Sequence, residues 1–184
     1  MNKIFIFLVL VIFISCSQTK QLLYEKNYPL TNKSVESKKT SYKVKIPQGW
    51  YSPTENSYEL VDIWLVDERL TAQIVVLPLN INNFDKSISL KDIINLNIRQ
   101  KKAELGDKYK EVIPAEHFFI NSIEFYSFQY YDFRNLPVRT VYFKLNDIYF
   151  ECVASFSEKI IPEKANPSTL FKVQNSVLNS ISLK

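Results

Sequence analysis

Four consecutive apolar-rich runs in the second half of the sequence leave little choice of fold. They are Lys110 to Ile120, Ile123 to Phe133, Val138 to Leu145 and Ile148 to Phe156. Only Asn121-Ser122 separates the first two, Arg134-Asn135-Leu136-Pro137 the next, and Asn146-Asp147 the last. Connections this short can join only antiparallel neighbours, because a parallel crossover needs a dozen residues or more. The four runs are therefore expected to form a meander.

Upstream, SYKVKI (41–46) alternates, with Tyr42, Val44 and Ile46 on one face, and Pro47 and Gly49 end it in a turn before Trp50. Tyr58 to Val66 and Leu70 to Leu79 read as the arms of a hairpin across Asp67-Glu68-Arg69, with Pro78 near the end of the second arm. The period then changes to that of a helix, with Leu90, Ile93, Ile94, Ile98 and Leu105 on one face. Ser89 and Asp92 have capping-box spacing, and Gly106 stands where a helix-ending glycine belongs. A second helix opens at Pro167-Ser168, with Leu170, Val173, Val177, Leu178 and Ile181 on one face. The order β-β-β-α-β-β-β-β-α predicts an α+β fold, a mainly antiparallel sheet of about six to seven strands carrying helices on its faces.

The first sixteen residues, MNKIFIFLVLVIFISC, form a separate unit. Lys3 precedes an unbroken apolar run, Ile4 to Ile14, closed by Ser15 and Cys16. That is the plan of a secretory signal peptide, and the run is shorter than the roughly 20 residues a membrane-spanning helix needs. With a cysteine directly after the small residue, the segment resembles a bacterial lipoprotein signal, which implies cleavage after Ser15 and lipid on Cys16. The domain reading is then 1–15 signal peptide, 16–40 lipidated Cys16 followed by a flexible, lysine-bearing tether, and 41–184 one globular domain. The expected address is the bacterial cell envelope, lipid-anchored and extracytoplasmic, on the periplasmic or outer-membrane face. Cys152 is the other cysteine, so lipid on Cys16 leaves no partner for a disulfide within the chain.

Composition narrows the chemistry. The net charge of +4 is spread along the chain, which does not favour nucleic acid as a partner. Two glycines leave no room for a glycine-rich phosphate loop. His117 is the sole histidine, and as a strand neighbour of Glu116 it points to the opposite face, so the two form no dyad. Cys152 shares an apolar face with Ile148, Phe150, Ala154 and Phe156 and reads as a core residue. Asp62, Asp67, Glu68, Glu124, Asp132 and Asp147 are scattered over strands and turns, with no calcium-loop spacing among them. Neither a metal nor a cofactor is expected, and the chain is read as a non-enzyme. The 11 tyrosines offer another possibility. In IEFYSFQYYDF (123–133), Tyr126 and Tyr130 share a face, and Tyr142 and Tyr149 lie on the strands that follow. Exposed, these four would make an interaction patch for a partner; covered by a helix, they would be core.

Two places resemble a known group. YKVKIPQGW (42–50) is similar to the strand and P-x-G-W opening of the PsbP/Mog-like fold, which includes DcrB-type bacterial lipoproteins. The hairpin, helix, meander ending in VASF (153–156) and final helix follow the same layout. The resemblance implies an α/β/α sandwich around an antiparallel sheet for residues 41–184. It implies no activity, since the group includes photosystem assembly subunits, nuclear import factors and cell-envelope lipoproteins. The leading expectation is a non-enzymatic envelope protein that touches the membrane through its lipid and binds or helps assemble another envelope component, a protein, by contrast with a carrier holding a small apolar ligand between sheet and helix.

Overall fold

A computed structural model describes residues 22–53, 60–80, 88–158, 160 and 162–183. The signal-like segment and Cys16 lie outside them. The strands are β1 (Leu30–Glu36), β2 (Tyr42–Pro47), β3 (Trp50–Tyr51), β4 (Ile63–Asp67), β5 (Ala72–Leu79), β6 (Glu111–Ile120), β7 (Ile123–Tyr131), β8 (Pro137–Leu145), β9 (Ile148–Phe156) and β10 (Ser182–Leu183). The helices are α1 (Leu90–Leu105) and α2 (Pro167–Asn179).

A seven-stranded antiparallel sheet runs β3-β4-β5-β9-β8-β7-β6. The α1 connection carries the chain from β5 to the far edge, and the meander steps back until β9 pairs with β5. Local chemistry fixes these steps. Asn121-Ser122 and Asn146-Asp147 take positive φ at both turn residues, as two-residue hairpins demand and as Asn and Asp tolerate. Gly49, at φ 74°, turns β2 into β3, and Gly106, at φ 54°, ends α1. The Ser89–Asp92 capping box is formed in both directions, and Asn166 with Pro167 starts α2.

Each face of the sheet is covered differently. Ile74, Val76, Phe125, Val141, Phe143, Phe150, Cys152 and Ala154 face α2, which contributes Leu170, Phe171, Val173 and Val177 to one core. On the opposite face α1 lays Leu90, Ile93 and Ile94 over Phe128, Tyr130, Val138, Tyr142 and Tyr149. The expected α+β sandwich is present.

Two expectations are corrected. The strand at 42–47 does not belong to the large sheet: β2 is the centre of a second, three-stranded sheet, β1-β2-β10, packed beside α2. The described part of the supposed tether 16–40 is folded. Leu30–Glu36 pairs antiparallel with β2, and Leu22, Tyr24 and Tyr28 pack on the α2-side core. Tyr24 meets Phe171 edge-on at 5.2 Å, and the Tyr28 amide donates to Ser176 Oγ at 2.9 Å. Aromatic rings outweigh the segment's lysines, because each ring buries far more apolar area than an exposed lysine costs.

Candidate functional site

Cys152 lies on β9 with no exposed surface, and Gln174 Nε2 donates to its carbonyl at 2.8 Å. Burial pushes its thiol pKa up to about 12, the wrong direction for a nucleophile. His117 stands near the free edge on β6, stacked on Tyr126 at 4.4 Å. Glu116 is on the other face, as alternation requires. The partner sequence reasoning missed is Glu124, whose Oε1 lies 2.9 Å from His117 Nε2 across the β6–β7 hairpin. Finding it takes the cross-strand register, which pairs His117 with Tyr126 and Phe119 with Glu124.

The scattered acids do not converge. Asp62 accepts from the Ser37–Lys39 turn, and Asp67 accepts from Thr71 N, Thr71 Oγ1 and Ala72 N. Asp132 pairs with Arg134 at 2.7 Å and Asp147 with Lys144 at 2.9 Å. Among the described residues, no group of three or more His, Cys, Asp or Glu is placed to hold a metal ion.

The tyrosine patch is corrected. Tyr130, Tyr142 and Tyr149 are buried beneath α1, and only Tyr126 keeps partial exposure. The Tyr142 hydroxyl donates to Glu151 Oε1 at 2.8 Å, and the Tyr149 hydroxyl to the Ile88 carbonyl at 2.7 Å. Burial raises the Tyr130 pKa to about 12 and the Tyr142 pKa further. All three side chains are core, and the Tyr142 and Tyr149 hydroxyls are satisfied. The helix that covers them is amphipathic, but its sequence does not say which sheet face it takes.

Among the described residues, one concave place of about 310 Å³ lies beside Ser89, Leu90, Glu124, Lys144 and Tyr149, and two others are lined by α2 or by a side chain bonded to it. A half-open cleft of about 710 Å³ lies between the β4–β5 turn and the start of α2. Its apolar lining includes Tyr28, Trp50, Phe156, Leu170 and Val173, and Glu68, Arg69 and Lys164 also line it. The cleft exists because Asp67 ties down the turn that begins at its own position, while Asn166 and Pro167 fix where α2 starts.

The second of these two surrounds Arg139 on β8, only 1% exposed. Its Nη1 donates to Asn175 Oδ1 at 2.7 Å and Gln174 Oε1 at 3.1 Å, and its Nη2 reaches Ser127 Oγ at 3.4 Å. Tyr24 and Phe118 flank the guanidinium, with ring centroids 5.4 and 5.5 Å away. Burial lowers the Arg139 pKa to about 10, against the opposing pull of Glu116. Among the described residues, Arg139 Nε has no acceptor, nor has Nε2 of Gln129, the residue directly opposite it across β7–β8. Leaving one buried donor unmet costs about 1–3 kcal/mol. A cavity of about 260 Å³ adjoins, lined by Arg139, Glu116, Phe118, Ala115, Leu22 and Leu23 together with His117.

No family model and no curated protein matches this sequence. The fold is similar to the solution structure of cyanobacterial PsbP (CyanoP) from Synechocystis sp. PCC 6803, with a TM-score of 0.56 and 16% identity over 83% of this chain and 92% of that one. A crystal structure from Bacteroides thetaiotaomicron VPI-5482 aligns with a TM-score of 0.41 and 11% identity, over 78% of this chain and 45% of that one. The fold is PsbP-like.

Proposed function

We propose that this chain is a non-enzymatic accessory protein of the bacterial cell envelope, anchored by lipid on Cys16, that binds a segment of another envelope protein in the cleft between the β4–β5 turn and α2. A PsbP-like fold is compatible with a non-enzymatic accessory role. The observation that carries the reading is the cleft itself. It combines aromatic and aliphatic side chains with charges of both signs in its lining, and it is half open. Apolar cores edged by polar groups suit a protein segment that stays partly exposed when bound. The cleft volume also falls within the roughly 300–1,000 Å³ of small-molecule sites, which supports a second reading, a carrier of a small apolar ligand between sheet and helix.

Photocrosslinking amino acids placed at Glu68 and Lys164 in the native host separate the two. A discrete protein adduct from both positions, absent from Lys144 on the opposite sheet face, is the expected result. Adducts no stronger than those from Lys144 overturn the cleft as a partner site. A stoichiometric apolar molecule extracted from the purified chain moves the reading to the carrier. Anchoring is tested separately: Cys16→Ser should abolish the lipid-dependent mass increment and release the chain from the membrane. A Cys16→Ser protein that stays membrane-bound with unchanged processing overturns the lipoprotein reading.

A further inference from the structure

Arg139 is a buried cation whose guanidinium is held in place more fully than it is neutralised. Gln174, Asn175 and Ser127 supply neutral acceptors, and two aromatic rings flank it. No carboxylate among the described residues lies within ion-pair distance of it. Its Nε–H is unspent, and Arg139 forms part of the wall of the 260 Å³ cavity. A guanidinium edge with a free N–H is the natural partner of a carboxylate.

A bare anion does not match the rest of the wall. Glu116 lines the same cavity, and its Oε2 accepts from Ser127 Oγ at 3.1 Å, so Ser127 stands between the two charges. Besides the His117 ring, which is paired with Glu124, the cavity offers one positive and one negative group, held apart by a hydroxyl, with Leu22, Leu23, Ala115 and Phe118 as apolar wall. At about 30 Å³ per water it has room for roughly eight or nine waters, or an organic molecule with about that many heavy atoms. We propose that this cavity binds a small zwitterion of the α-amino-acid class with an apolar side chain, its carboxylate on Arg139, its ammonium on Glu116 and its side chain against Phe118 and the two leucines. The site is separate from the cleft and does not depend on the reading given to it.

The test is calorimetric titration of the full chain, purified in detergent, with L-leucine and two analogues that each lack one charge, 4-methylpentanoate and isopentylamine. Leucine is expected to bind, and each analogue at least tenfold more weakly. Glu116→Gln, at a partly exposed position, should weaken leucine tenfold or more while leaving 4-methylpentanoate unchanged or tighter. No binding of L-leucine, L-valine or L-methionine overturns the proposal. So does 4-methylpentanoate binding as tightly as leucine, which would make this a simple anion site. The analogue comparison uses the unaltered chain and stands whether or not a variant of Arg139 folds.

Discussion

The Tyr42 hydroxyl donates to the carboxylate of Asp62 at 2.9 Å, which joins the small sheet to the large one through a buried contact. Asp62 is 1% exposed and also accepts from Ser37 Oγ at 2.8 Å and from the Lys38 and Lys39 amides at 2.7 and 3.2 Å. One side chain therefore meets four donors and closes the β1–β2 turn. Asp62→Ala strands a buried hydroxyl and loosens that turn, so a loss of about 2–4 kcal/mol is expected. Tyr42→Phe, which keeps the ring against Phe150, should cost only about 1 kcal/mol. Urea unfolding of both variants checks this; equal midpoints for Asp62→Ala and wild type would show that the carboxylate does not join the sheets.

Folding of the segment before residue 41 has a direct consequence. Tyr24, Tyr28 and Leu22 pack on the α2-side core, and Asn175 Nδ2 donates to the Tyr24 carbonyl at 2.6 Å. A chain starting at Ser41 loses these contacts and the β1 ladder. It should be less stable than one starting at Leu22 by roughly 3 kcal/mol or more, counting partial burial of three large side chains. Identical urea midpoints for the two would return the segment to the status of a tether.

The contrast between α1 and β1 shows what kind of information a sequence carries. Helix α1 was legible because Ser89, Asp92 and Gly106 act on their own few residues, and the meander because Asn121-Ser122 and Asn146-Asp147 make their turns locally. β1 was not legible: LTNKSVE has only two aliphatic residues, and an irregularity between Leu30 and Ser34 breaks their period. The two-residue strands β3 and β10 exist only through their partners. The burial of Tyr142 and Tyr149 depends on which sheet face α1 covers, a tertiary choice. Arg139 did leave a signal. In VRTVYF it shares its face with Val141 and Phe143, and a cation in register with core residues marks a site even before its surroundings are known.

Beneath α1, the hydrogen bond from Tyr142 to Glu151 carries a pH dependence. Burial raises the Glu151 pKa, and the Tyr142 hydroxyl only partly offsets this. The folded state therefore holds this proton more tightly than the unfolded chain does. Its contribution to stability declines as pH rises from the ordinary glutamate value, about 4.3, through the raised folded value. Glu151→Gln removes that decline and can still accept from Tyr142. The variant should gain on wild type as pH rises through that window, with the difference closing below pH about 4. Thermal unfolding from pH 3 to 8 reads it; a difference that does not vary with pH would mean Glu151 is solvated in the folded chain.

The remaining prediction concerns Cys152, the residue on which a thiol enzyme would have to rest. With a pKa near 12 only about one thiol in ten thousand is ionised at pH 8, and no surface of the residue is exposed. Gln174 holds the adjacent carbonyl, and Phe150, Ala154 and Val141 share its core. Iodoacetamide should leave the Cys152 peptide unmodified in the native chain at pH 8 and modify it fully in urea, as followed by mass spectrometry. Cys152→Ala should fold normally and cost about 1 kcal/mol, the value of a small apolar deletion. Rapid labelling of the native thiol would instead require an opening between β9 and α2, and with it a route by which a substrate could reach the sulfur.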